Sequence, residues 1–143
     1  MINEPVEVTL QVTRQLEALQ IPYLVGGSVA SIIHGEYRST NDADLLADVR
    51  SHHVTPLVRA LSPTFFIQAE DIRDAIQSAV QYRDDPRIRP SFAVLHRETA
   101  FKVDIFLFRG RPFERSELAR RIHEVVAIDP EQRAYIATAE DMV

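Results

Sequence analysis

The sequence predicts an α+β domain, and three observations carry that expectation. Apolar residues recur at helical spacing in several segments, short apolar or alternating runs bounded by turn residues mark strands, and 143 residues suffice for one ordinary hydrophobic core. A single domain spanning 1–143 is therefore expected.

Pro5 is suited to the first turn of a helix, and Val8, Val12, Leu16 and Leu19 follow at helical spacing up to Gln20. Pro22 stops it. Tyr23 to Val25 is a short apolar run halted by Gly26-Gly27, the pattern of a buried strand entering a tight turn, and Ser28 can cap a helix from Val29 to about His34 before Gly35. Asp42 to Val49 suits a strand, while Val54 to Leu61 and Asp71 to Gln81 suit helices. Tyr82 to Pro90, with two prolines, three arginines and two aspartates, has the composition of a mobile loop. Phe92 to His96 and Lys102 to Phe108 form an expected hairpin. Arg109 to Pro112 is a turn, Glu114 to Arg121 a short helix and Val125 to Ile128 an edge strand before Pro130. Thr138 and Asp141 sit at capping-box spacing, so a helical region is expected to begin at about 138, as in a truncated piece of a longer chain.

Composition narrows the function. Apolar residues at 45% and charged residues at 26% are those of a folded globular protein. No run approaches the roughly 18 apolar residues of a membrane span, and Met1 to Glu7 lacks a signal-peptide pattern, so a cytoplasmic protein is expected. The absence of cysteine excludes disulfides, thiolate metal sites and cysteine redox chemistry. A net charge of −5 argues against a non-specific nucleic-acid coat, since such binding rests on phosphate neutralisation. Local contact is left to Arg109 to Arg121, where arginines alternate with Glu114 and Glu117; a solvated mixed-charge surface explains the same run.

Three clusters carry chemistry. A strand ending in Gly26-Gly27 and turning into a helix at Ser28 brings free backbone N–H groups toward an anion, although the same residues also make a plain tight turn. Asp42 and Asp44, two apart on a strand, project from one face while Ala43 and Leu45 point inward. A divalent cation would turn their repulsion into binding; a solvated turn would also accommodate them. Asp104 lies mid-strand in Lys102-Val103-Asp104-Ile105-Phe106-Leu107-Phe108, where it either serves a site or pairs with Lys102 across a partly exposed face. The histidines make no zinc site, because adjacent His52 and His53 should diverge and His34, His96 and His123 are scattered.

Together, Tyr23-Leu24-Val25-Gly26-Gly27-Ser28, Arg38-Ser39-Thr40-Asn41-Asp42-Ala43-Asp44 and Lys102-Val103-Asp104 resemble the DNA polymerase beta superfamily of nucleotidyltransferases, especially its small bacterial stand-alone members. The resemblance implies the nucleotidyltransferase fold, a mixed sheet with helices mainly on one side and the three aspartates on one open face. It further implies that Asp42 and Asp44 bind two magnesium (or manganese) ions, that Asp104 completes the site for one, and that Gly26, Gly27 and Ser28 hold the β and γ phosphates of a nucleoside triphosphate such as ATP. Arg38 and Thr40 match positions often filled by the same residue types in these small members, which implies nucleotide-binding roles for them and for Lys102; Arg38 would pair with a triphosphate oxygen or the acceptor, with structural ion pairs as the alternative for Arg38 and Lys102. The implied reaction is transfer of a nucleoside monophosphate to a hydroxyl: a tRNA end, a protein side chain or a small molecule such as an aminoglycoside. Several members belong to toxin and antitoxin pairs. The rival expectation is an inactive nucleotide-binding or partner-binding module of the same fold.

Overall fold

In the computed structural model, which describes residues 4–26, 42–127 and 132–137, the first helix is α1 (Glu4–Ala18). Val8, Val12 and Leu16 are buried, as their spacing predicts. Gln20 takes a left-handed φ of 59°, and the Ile21 N–H donates to the Leu16 carbonyl at 2.9 Å, closing the helix before Pro22. Strands β1 (Tyr23–Gly26) and β2 (Asp42–Ala47) follow, then a short 3₁₀ turn at Ser51–His53 and helix α2 (Val54–Leu61). Next come β3 (Phe65–Phe66), α3 (Ala69–Gln81), β4 (Ser91–His96) and β5 (Lys102–Leu107). The described chain ends with α4 (Pro112–Arg120), β6 (Ile122–Ala127) and β7 (Gln132–Ile136).

The strands form one sheet in the order β3-β4-β5-β2-β1-β7-β6. It is mixed: β1 with β7 and β2 with β5 run parallel, and the other neighbours antiparallel. Alternation divides its faces. Ala43, Leu45 and Ala47 of β2, Val103, Ile105 and Leu107 of β5, and Phe92 and Val94 of β4 are buried in a single core with Leu16, Leu57, Leu61 and Ile72 of the helices. Asp42, Asp44, Lys102, Asp104 and Phe106 fall on the other face. The α+β class agrees with the sequence pattern, and the sheet is mixed, as the resemblance implies.

Tyr23 ties three elements together. Its buried hydroxyl donates to Glu17 Oε2 at 2.5 Å and accepts from the Tyr135 N–H at 3.1 Å, joining β1 to α1 and β7. Burial, followed by the bond to Glu17, pushes the phenol well above its ordinary range. Arg14 of α1 also bonds the Gln132 side chain of β7.

Several expectations change in detail. Pro112 occupies the first turn of α4, so the helix starts before Glu114; β6 starts at Ile122 and forms the expected edge. The 82–90 loop, expected to be mobile, is stitched down by Arg109. One guanidinium nitrogen donates to the carbonyls of Tyr82 at 3.0 Å, Asp85 at 3.1 Å and Ile88 at 2.7 Å. Glu114 completes the arrangement, accepting from the Arg109 N–H at 2.7 Å and lying 3.5 Å from Nε. Arg109 is only 5% exposed, so the arginine run is not one solvated surface. Arg121 likewise lies over the Tyr135 ring, 4.3 Å from its centre. The helix expected from Val29 and the capping pair at Thr138 and Asp141 lie outside the described residues.

Candidate functional site

Parallel pairing of β2 with β5 sets Asp44 directly beside Asp104, Asp42 beside Lys102 and Leu46 beside Phe106. Because side chains alternate, all six point from the sheet face opposite the core. The solvated-turn alternative for Asp42 and Asp44 is thereby excluded: both stand on a central strand. On the other side of β2, Gly26 ends β1 opposite Asp44. A Cβ built on Gly26 would meet Asp44 Oδ2 at 3.8 Å, an ordinary contact, so the described neighbours do not themselves require glycine there.

The electrostatics of this face are asymmetric. Partial burial is the main cause raising the Asp44 pKa above its ordinary value; the negative charges of Asp42 and Asp104 add to it, and Arg89 opposes it. Asp104 has a closer counter-charge, with Lys102 Nζ 3.3 Å from its Oδ2. The ion pair offered by sequence as the alternative for Lys102 is therefore formed. Among the described residues, no three acidic or histidine side chains gather around a common point in a way that would hold a metal ion. Asp42, Asp44 and Asp104 share a face and a register without converging.

Asp44 opens on a cleft of about 420 Å³, lined also by Gly26, Arg89, Phe106, Arg111 and Phe113. Asp104 lines a separate groove that includes Asp71 and Asp74 of α3. Sequence reasoning missed Arg89. It sits one residue from the Ile88 carbonyl that Arg109 holds, and its guanidinium lies 4.3 Å from the centre of the Phe106 ring. The proline and arginine content of the loop was the available signal, but only the fold brings Arg89 to the aspartate face.

Of the other site residues expected from sequence, Gly27, Ser28, Arg38 and Thr40 lie outside the described residues. Among the described side chains, His52, His53 and His96 have local partners. The rings of His52 and His53 do not diverge but lie 3.9 Å apart in the 3₁₀ turn, and His53 Nδ1 accepts from the Arg50 N–H at 2.9 Å. His96 is buried at the β4–β5 hairpin, with Nδ1 3.1 Å from the Thr99 hydroxyl. No family model matches this chain, and no curated protein matches it.

Proposed function

We propose that this chain is a nucleotidyltransferase core that transfers a nucleoside monophosphate from a nucleoside triphosphate to a hydroxyl acceptor. The observation that supports it most is the register of Asp44 and Asp104 on neighbouring parallel strands, with Asp42 on the same face and the end of β1 opposite Asp44.

The donor set suits a hard divalent cation in kind, since all three are carboxylates and the charges of Asp42 and Asp104 raise the proton affinity of Asp44. Asp42, Asp44 and Asp104 would hold magnesium, and Lys102 would exchange its ion pair with Asp104 for a triphosphate oxygen. When bound, the metal supplies activation of the acceptor hydroxyl and neutralisation of the leaving pyrophosphate. The acceptor hydroxyl would lose its proton to solvent as its oxygen forms the new bond to the α-phosphorus and the bond to pyrophosphate breaks. The protein's own part is to hold and orient: Gly26, Gly27 and Ser28 cradle the β and γ phosphates, Arg38 and Thr40 contact the triphosphate, and no side chain serves as nucleophile. The acceptor classes are a tRNA end, a protein side chain or a small molecule, and a toxin or antitoxin partner fits the same reading.

The Lys102 to Asp104 pair favours one second reading, an inactive module that binds nucleotide or a partner, because the third carboxylate is already neutralised within the chain. The two readings differ in turnover. Incubating the protein with magnesium, α-labelled triphosphates and cell extract should transfer label to an acceptor, and Asp44→Asn should reduce transfer at least a hundredfold, as expected for loss of a metal-binding carboxylate. Nucleotide binding without transfer under these conditions would select the inactive module.

A further inference from the structure

Strand β3 covers only one end of the strand it borders. Its two residues pair with Leu95 and His96 of β4, and the chain then leaves through Ile67 and Gln68 to start α3 at Ala69. The side of β4 away from β5 is therefore an open edge from Ser91 to Val94. Two bonds fix the direction of its peptide groups: Leu107 donates to the Pro90 carbonyl at 2.9 Å, and His96 donates to the Phe101 carbonyl at 2.9 Å. Even-numbered residues thus turn toward β5, so Ser91 and Ala93 turn their N–H and C=O groups outward. Among the described residues, neither finds a hydrogen-bond partner there. These groups open on a groove of about 490 Å³, walled by Asp71, Asp74 and Ser78 of α3, with Asp104 on the far side of Ala93. No Lys or Arg lines the groove among the described residues, and neither Asp71 nor Asp74 forms an ion pair there.

We propose that this edge takes up an extended segment of a partner protein as an added strand beside β4, with lysines or arginines of that segment facing α3. Strand addition draws its affinity from main-chain bonds, and Ser91 and Ala93 each present a donor and an acceptor at ladder spacing. Side chains decide which strand is accepted. An added strand sets alternate side chains against α3, where Asp71 and Asp74 attract cations and repel acidic segments. The same charges disfavour a second copy of this chain, because pairing the edge with itself about a two-fold axis would bring both sets of aspartates together. The proposal is independent of the chemistry at Asp44.

The probe is a blocked peptide of alternating lysine and threonine, titrated into the full chain and followed by NMR. At saturation, hydrogen exchange of the Ser91 and Ala93 amides should slow about tenfold or more, while Phe92 and Val94, already directed at β5, stay unchanged. The same peptide N-methylated at every amide keeps its charges but cannot form the ladder, and should bind about tenfold more weakly. Asp71→Asn combined with Asp74→Asn should weaken the unmodified peptide about fivefold, the size of two exposed ion pairs. A peptide with glutamate in place of lysine repeats the charge test on wild-type protein and should not bind. Equal binding of the two lysine peptides overturns strand addition, as does binding that leaves the Ser91 and Ala93 amides exchanging as before. Equal binding of the lysine and glutamate peptides overturns the basic partner, and binding of neither overturns the proposal whole. Protection of the same two amides by raised protein concentration alone would give the edge to a second copy and overturn it as well.

Discussion

Asp104 and Arg109 stand five residues apart, on β5 and just beyond it, and the fold treats their charges in opposite ways. The Arg109 side chain is 5% exposed, one guanidinium nitrogen donates to three carbonyls and Nε faces Glu114 at 3.5 Å without a hydrogen bond, so its charge is largely answered within the chain. The aspartate face is answered only in part: Lys102 meets Asp104, while Asp44 faces two other carboxylates with Arg89 as the opposing charge. Buried charge that is paired within the chain serves the fold; carboxylates set on one face of a sheet with partial compensation are candidates for an external partner.

Breaking the satisfied side should have the larger effect on stability. Arg109→Met removes the donor to three loop carbonyls and leaves Glu114 with the residue 109 N–H but no counter-charge, which should cost about 3 kcal/mol in urea unfolding. A cost below about 1 kcal/mol would mean that water replaces the guanidinium easily and that the loop is not stitched down.

On the aspartate face the expected effect is smaller and opposite in sign. The folded-state pKa of Asp44 lies above its ordinary value of 3.8, so the folded protein binds the extra proton within that interval. Metal-free stability therefore falls as pH rises through the interval, and the whole penalty stands at neutral pH. Asp44→Asn removes it, so the variant should be more stable at pH 7 by up to about 1 kcal/mol. This gain should shrink as pH is lowered toward 3.8. Melting curves at pH 7 and at successively lower pH check it, and a variant less stable than wild type at pH 7 would place Asp44 among the structural residues.

The same contrast explains what was legible in the sequence. Alternation in Asp42-Ala43-Asp44-Leu45 and Val103-Asp104-Ile105 is local, and a strand's period of two assigns faces without further information. The two strands were therefore readable, as was the common face of their aspartates once they were paired. Strand β7 was not, because Gln132-Arg133-Ala134-Tyr135-Ile136 is short and half polar and joins the sheet through distant partners such as Val25. Arg109 was misread for a related reason. Its neighbours are charged, and its burial depends on a loop some twenty residues earlier in the chain folding over it. Arg89 needed the same long-range placement, so the aromatic part of the cleft was invisible without the fold.

The central claim is that the carboxylates serve a metal-bound nucleotide rather than the fold, and thermal unfolding of wild type and Asp104→Asn tests it directly. The Lys102 to Asp104 pair is partly exposed, so its loss should change metal-free stability by less than about 1 kcal/mol in either direction. Magnesium with ATP at a hundred times the dissociation constant should stabilise wild type by about 2.7 kcal/mol. Asp104→Asn should gain much less under the same conditions. A clear fall in the metal-free stability of the variant, with full stabilisation by magnesium and ATP retained, would contradict the account and leave Asp104 as a structural partner of Lys102.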